Sequence, residues 1–291
     1  MITLGRQRDV KDRRRDLPYF DFLLERIEQG DLELQRAFGR HVHWGYWPDT
    51  DRAAGSTEDF AQAAENLSRH LCDAAGAGDG MRILDVGCGL GGTLGSLNER
   101  FRNLSLVGLN IDLRQLDRAR AQVKPKPGNT IAFVTADACE LPFDSESFDA
   151  VLAVECVFHF PSRGRFLKEV RRVLRPGKRL ALSDFVPRVS TFPLLILLFA
   201  VFRSALEKTY GNSGARCTLA KYLALAKRTG FASPRFEDIT ANTLPTYEIL
   251  RRLNSRAGDR VKHAKNATRF LEWASRAGWL RYVVLTFART P

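Results

Sequence analysis

The chain has 291 residues, 44% hydrophobic and 27% charged, with a formal net charge of +12, the composition of an ordinary soluble globular protein with a full core. No apolar run is long enough to span a bilayer, and the N-terminus is charged where a signal peptide needs an apolar core. Its cysteines, Cys72, Cys88, Cys139, Cys156 and Cys217, lack C-x-x-C or ligand spacing, which argues against a disulfide framework or a metal site and for reduced thiols in a cytoplasm.

Residues 1–16 read as a flexible charged leader containing Arg13, Arg14 and Arg15, and residues 17–80 as an N-terminal helical cap. Phe20, Leu23, Leu24, Ile27, Leu34 and Phe38 predict helix interrupted at Gly30. The segment HVHWGYWPD, His41 to Asp49, is a compact cluster of histidines and large rings ending in a turn. It is open to two readings, an aromatic plug at a sheet edge or the wall of a ligand pocket. The density of His41, His43, Trp44, Tyr46 and Trp47 favours the pocket. Ser56 opens a helix with Asp59 three residues on, a capping-box spacing, and Phe60, Ala63, Ala64, Leu67 and Leu71 form its inward stripe.

The most informative stretch is MRILDVGCGLGG, Met81 to Gly92. Its branched residues suit a strand buried on both faces of a parallel sheet, and the glycines after Asp85 allow a tight turn and the close approach of a ligand. A helix begins near Thr93, so its first amides point at whatever fills the turn. Such a layout is a nucleotide-type cofactor site at the carboxyl end of a first strand. Gly87, Gly89 and Gly92 also fit G-x-G-x-x-G, a weak match that leaves NAD or FAD open at this point. A carboxylate at Asp85 could meet the ammonium of an amino-acid moiety.

A second strand, Leu104 to Leu109, ends in Asn110-Ile111-Asp112, and a third, Ile131 to Thr135, runs into Asp137 and Ala138. Ser147 to Leu152 enters a fourth. Phe166, Leu167, Val170, Val173 and Leu174 mark an amphipathic helix stopped by Pro176-Gly177, and a fifth strand covers Arg179 to Phe185. An insertion at about 187–230 holds LLILLFAVF, Leu194 to Phe202, which is too short to cross a membrane. It can be a buried lid helix, a wall for a greasy acceptor or a membrane-surface contact. A sixth strand is expected at Arg235 to Thr240, helices around Tyr247 to Asn254 and Ala267 to Arg276, and a last strand at Tyr282 to Ala288.

The motifs DVGCGLGG (Asp85 to Gly92), ADACELPF (Ala136 to Phe143), FDAVLAVECVFHF (Phe148 to Phe160) and LKEVRRVLRPGKRLALSD (Leu167 to Asp184) resemble the class I S-adenosylmethionine-dependent methyltransferases, in their small-molecule, natural-product branch. The resemblance implies an α/β, Rossmann-like fold over residues 81–291: a seven-stranded, mostly parallel sheet with helices on both faces and the last strand antiparallel. It implies S-adenosyl-L-methionine as cofactor, with Asp85, Gly87 and Gly89 at the methionine end, Asn110 and Ile111 at the ribose, and Asp137 with Ala138 at the adenine. The family usually has an acidic residue where Asn110 stands, so Asp112 is kept beside it. Glu155 and Tyr46 complete the cofactor set. HWGYW resembles the H-x-G-Y-W segment that precedes the domain in sugar, tocopherol and isoprenoid methyltransferases. With Tyr19, it would line the acceptor site through His41, Trp44 and Trp47, joined by Leu195 and Phe199 of the insertion.

Methyl transfer from a sulfonium rests largely on positioning and needs a base only when the acceptor carries a proton. His159, near the rim after the fourth strand, and His43 are the candidate bases; a histidine there can equally be a packed structural one. Glu155 is a further catalytic candidate, and Asp184 could orient a donor. O-methylation of a small, lipophilic acceptor leads, and C-methylation of an isoprenoid comes second, with Trp44 and Tyr46 facing a carbocation. The positive charge also suits nucleic acid or an anionic membrane face, but no basic stripe interleaved with aromatics marks an RNA surface. An RNA methyltransferase and a non-catalytic cofactor-binding protein therefore stand behind. The expectation is a cytoplasmic monomer or homodimer, with peripheral membrane contact as an option.

Overall fold

The computed structural model describes residues 17–189, 192–211, 217–256 and 262–290, and the leader expected over residues 1–16 lies outside them. Among the described residues seven strands form one sheet: β1 (Arg82–Val86), β2 (Ser105–Asn110), β3 (Thr130–Thr135), β4 (Phe148–Ala153), β5 (Leu174–Pro187), β6 (Phe231–Asp238) and β7 (Leu280–Arg289). Their spatial order is β3-β2-β1-β4-β5-β7-β6. Strands β1 to β5 run parallel, and β7 lies antiparallel between β5 and β6. The expected sheet with a reversed last strand is the one found. Strand order reverses between β1 and β4, which opens a crevice at the carboxyl ends of those strands.

Two boundaries differ from the sequence reading. Strand β5 starts at Leu174, directly after the helix, because Leu174 pairs with Phe148 before a register shift brings Arg179 opposite Ala150. Pro176-Gly177 therefore shapes an irregularity inside the strand. Strand β6 likewise starts at Phe231 and absorbs a shift between Ala232 and Arg235.

The helices are α1 (Pro18–Glu28), α2 (Leu32–Phe38), α3 (Thr57–Ala75), α4 (Gly92–Arg100), α5 (Leu113–Gln122), α6 (Arg163–Val173), α7 (Phe192–Val201), α8 (Arg203–Tyr210), α9 (Leu219–Arg228), α10 (Thr240–Thr243), α11 (Thr246–Arg256) and α12 (Lys262–Arg276). Alternate strand residues face opposite sides of the sheet. Leu84, Val86, Val107, Leu109, Val151 and Leu180 pack with Phe166, Leu167 and Val170 of α6 and Tyr222 of α9. Ile83, Leu106, Ala150 and Leu152 point the other way, onto Leu67 and Leu71 of α3 and Leu94 and Leu97 of α4. Each such Val, Leu, Ile or Phe side chain, fully buried, contributes about 1.5–3 kcal/mol. Helix α3 also packs on α2, so it joins the cap to the sheet, while α8 of the insertion packs on α1 and α12.

The start of α3 shows how the cap is anchored. Ser56 Oγ accepts the Asp59 amide at 3.1 Å, as the capping spacing predicts. The Asp59 carboxylate reaches further back than a capping box requires. Its Oδ2 accepts from the amides of Ala54 at 2.9 Å and Gly55 at 3.2 Å and from Trp47 Nε1 at 3.0 Å. Orphaning such donors costs about 1–3 kcal/mol, so Asp59→Ala should lower unfolding free energy by that amount in urea titration. A loss below about 0.5 kcal/mol, the level of an ordinary surface change, would show that Trp47 is held by packing alone.

Candidate active site

Strand β1 carries Asp85 to the carboxyl edge of the sheet. Asp85 is 1% exposed, and its Oδ2 has no hydrogen-bond partner among the described residues. Burial without a compensating donor pushes its carboxyl up to about 7. The turn after it is pinned by the amides of Gly87 and Cys88, which donate to the Leu109 carbonyl at 2.7 and 3.1 Å. Gly87 has φ of +75°, and a Cβ there would stand 2.8 Å from Cys156, so both backbone and space demand glycine. Asp85, Gly87, Gly89, Asn110, Ile111, Asp137, Ala138 and Glu155 all border one cavity of about 930 Å³. An open, buried carboxylate oxygen beside a glycine turn fits the ammonium end of an amino-acid-bearing cofactor.

At the second strand's end the neutral Asn110 is braced on both sides. Its Oδ1 accepts the Asp112 amide at 3.2 Å and its Nδ2 donates to Gln115 Oε1 at 2.7 Å. Gln115 also borders the cavity, a contributor that sequence spacing did not reveal. Asp112 is absent from the cavity wall. It accepts the Arg114 amide at 3.0 Å, which caps α5, and pairs with the Arg114 guanidinium at 2.6 Å. Asp137 fixes its own loop by accepting the Cys139 amide at 2.8 Å.

Residues 41–47 cross the glycine turn as a strap. A Cβ on Gly92 would lie 2.4 Å from His41 Nδ1 and 2.5 Å from the Arg40 carbonyl, so glycine here lets the strap lie on the start of α4. His41 Nε2 meets Glu65 Oε2 at 2.9 Å. Burial pushes the Glu65 carboxyl up, but hydrogen bonds from His41, Arg69 and Ser96 outweigh it and hold the group well below the usual range. His43 Nδ1 lies 2.9 Å from the Trp44 carbonyl and Nε2 3.2 Å from Ser68 Oγ. A carbonyl only accepts, so Nδ1 carries the proton and Nε2 accepts from Ser68. Burial drives His43 down to about 3, leaving it neutral. With both nitrogens engaged within the protein, His43 is built as a strut, which weakens its candidacy as a base.

The rings of the strap divide. Trp44 borders a second cavity of about 290 Å³ and meets Phe185 and Tyr247 edge-on at 5.3 and 5.7 Å. Tyr46 borders neither described cavity. Its amide bonds to the Ala63 carbonyl at 2.8 Å and its ring stacks on His70 at 4.8 Å, which turns it away from both cavities. Trp47, 4% exposed, packs with Leu23, Phe60 and Ile249, so its place is in the cap's core. His41 borders the larger cavity and not the second one. Phe199 packs edge-on against Phe270 at 5.2 Å, away from both cavities. The Leu195 side chain lies outside the described residues.

The second cavity is walled by Tyr19, Phe22, Leu23, Phe38, Trp44, Phe158, Tyr210, Leu250 and Leu253. Tyr210 is an addition that no local motif marked, and Phe158 lies within the FDAVLAVECVFHF motif without having been a candidate. The two cavities share Tyr19, Val42, His43, Glu155 and His159. His159 ends the 3-10 turn Val157–His159, is 8% exposed and stacks on Tyr19 at 6.2 Å. Glu155 has φ of +49°, a costly backbone state for a non-glycine residue that concentrates at functional sites. Its Oε2 accepts from the Trp44 amide at 2.8 Å and the Tyr282 hydroxyl at 2.7 Å. Burial outweighs these donors and pushes the carboxyl up to about 8. Asp184 is fully buried behind the site. It pairs with Arg163 at 3.0 Å and accepts the Tyr222 hydroxyl, and it borders neither cavity.

Known proteins resemble this chain in sequence and in fold. The family model described as a methyltransferase domain matches residues 84–182. Methyltransferase GfsG of Streptomyces halstedii is 33% identical over 222 residues, covering 75% of this chain and 76% of that protein. The 27-O-demethylrifamycin SV methyltransferase of Amycolatopsis mediterranei (strain S699) is 31% identical over 218 residues, covering 74% and 75%. Among solved structures, geranyl diphosphate C-methyltransferase from Streptomyces coelicolor A3(2), in complex with Mg2+, geranyl diphosphate and S-adenosyl-L-homocysteine, superposes with a TM-score of 0.67 at 19% identity, over 90% of this chain and 98% of that one.

Two outcomes follow from the buried acids. Asp85 must be ionised to hold an ammonium, and unliganded it holds its proton below about pH 7. Affinity for S-adenosylhomocysteine should therefore fall about tenfold per pH unit below 7, with proton release on binding at pH 6; calorimetry in buffers of different ionisation enthalpy reads both. Affinity that is flat from about pH 7 down to about pH 5.5, a range in which the carboxyl gains its proton and more than about tenfold should be lost, would remove Asp85 from the role. At Glu155, Ala should cost about 2–4 kcal/mol in urea unfolding because two buried donors lose their acceptor, whereas Gln should cost under about 1 kcal/mol. Equal losses would show that Glu155 does not tie the strap by hydrogen bonding.

Proposed function

Because the chain belongs to the class I S-adenosylmethionine-dependent methyltransferases, we propose that it methylates an oxygen of a small, largely apolar acceptor of natural-product type, with His159 as the base. The observation that carries this reading is the junction of the two cavities, one suited to the cofactor and one walled by apolar and aromatic side chains, at Tyr19, Glu155 and His159. The rifamycin relative's name describes O-methylation of a natural product, which supports the choice of atom and of substrate class.

S-adenosylmethionine, when bound, supplies a methyl group on a sulfonium whose S–C electrons stay with sulfur as the methyl leaves. Asp85 receives the ammonium, the glycine turn leaves room for the chain of the amino acid, and Asn110, braced by Gln115, meets the ribose end. The apolar pocket desolvates the acceptor and directs its hydroxyl toward the shared wall. His159 takes the proton that the acceptor oxygen gives up as the new O–C bond forms. Glu155 keeps Trp44 and the strap in place beside that wall.

A second reading has its own observation. Tyr19, Phe22, Trp44, Phe158 and Tyr210 surround the acceptor cavity with Glu155 as an acid at its edge, and π faces stabilise a carbocation. That arrangement favours C-methylation of an alkene. Offering the protein labelled cofactor with lipid, phenolic and glycosylated extracts, then locating the label by NMR, separates the two. For O-transfer, His159→Ala should lower kcat by about 100-fold at neutral pH and recover in part at alkaline pH, where the acceptor ionises unaided. Unchanged turnover would remove His159 as the base.

A further inference from the structure

Helix α7 is FPLLILLFAV, without one charged or polar side chain from Phe192 to Val201. A helix apolar all round needs cover on every side, yet Leu197 is 60% and Val201 69% exposed. Beside it, Trp273 of α12 is 46% exposed and borders the same depression as Leu198, Phe202 and Arg269. Contiguous apolar surface of this kind marks an interaction site. The charges around it indicate the partner. Val201 lines a groove with Lys208 and with Arg203, which pairs with Glu207 at 2.8 Å, and neither Lys208 nor Arg269 pairs with a carboxylate among the described residues. The whole chain carries +12.

The groove and the acceptor cavity share Pro18 and Lys208, so the apolar patch runs into the mouth of the pocket. We propose that the α7 face, with Trp273, docks on an anionic lipid surface and that the acceptor enters the pocket from that lipid. The proposal rests on the reading of a lipophilic acceptor given above. No helix among the described residues is long and apolar enough to cross a membrane. The contact is therefore interfacial, with Leu197, Val201 and Trp273 at the acyl boundary and Lys208 and Arg269 among the headgroups.

Co-sedimentation of the full chain with phosphatidylcholine vesicles, and with vesicles also containing phosphatidylglycerol, tests this directly. Binding is expected on the anionic vesicles at low salt, and it should weaken by about tenfold or more at high salt or on neutral vesicles. Leu197→Asp with Val201→Asp should reduce it by about tenfold or more. Arg269→Glu, a surface change without a packing cost, should reduce the salt-sensitive part. S-adenosylhomocysteine affinity should be unchanged in both variants, which separates loss of docking from failure of the methyltransferase site. Absence of binding by the parent at low salt would overturn the proposal. So would a double variant that binds like the parent, or a parent dimer that the double variant dissolves without any vesicle binding.

Discussion

Trp44 donates its amide to Glu155, and Tyr282 gives the same carboxyl oxygen its hydroxyl, while the Glu155 amide donates to Ser183 Oγ at 3.0 Å. One buried acid thus holds together the end of β4, the middle of β5, the start of β7 and the strap. The two cavities meet on this knot, so neither can change shape without disturbing it. Its backbone is held at positive φ, and its carboxyl is shielded enough to keep its proton near neutral pH. Both conditions are costly, and the sheet on one side and the cap on the other maintain them. The smaller cavity is therefore a product of docking the cap, not a property of the sheet alone.

The buried acids of the site divide by how fully they are matched. Asp184 meets Arg163 and Tyr222 and is closed off, a stabilising brace behind the pocket. Glu65 meets His41, Arg69 and Ser96 and stays ionised. Among the described residues, nothing donates to one oxygen of Asp85. Desolvation raises the pKa of any buried acid, and the number of donors decides whether the shift survives. The acid left short of donors faces the cavity, which is how a fold spends part of its stability on readiness to bind.

Much of the sheet was legible because its signal is local. Ile83, Leu84 and Val86 alternate sides within one strand, and the glycines follow at once, so a window of a dozen residues carries both strand and turn. Helix α3 announced itself through Ser56 and a clean apolar stripe. The wall of the larger cavity was readable for the same reason: Asp85 and Asn110 stand at the carboxyl ends of recognisable strands and Asp137 just beyond one. The wall of the smaller cavity was not. Glu155 and Tyr282 are 127 residues apart, and no spacing rule joins them. Within the strap, adjacent rings take different fates, with Trp44 on the pocket, Tyr46 over His70 and Trp47 in the cap core. That choice is made by Asp59, Ala63 and Glu155, partners far off in sequence. Composition showed that rings were gathered there, while only tertiary contacts determine which of them face a ligand.

The placement of the tryptophans gives the protein a built-in optical probe of its periphery. None of the four belongs to a strand. Trp44 and Trp47 are shielded in the strap at 7% and 4% exposure, and Trp273 stands half in solvent beside Trp279, their ring centres 4.8 Å apart. Intrinsic emission therefore combines a blue component from the strap with a red one from the α12 surface. The parallel sheet contributes no light of its own. A spectral change in this chain reports motion of the cap or wetting of α12, and the methyl-donor fold beneath can stay intact and unseen.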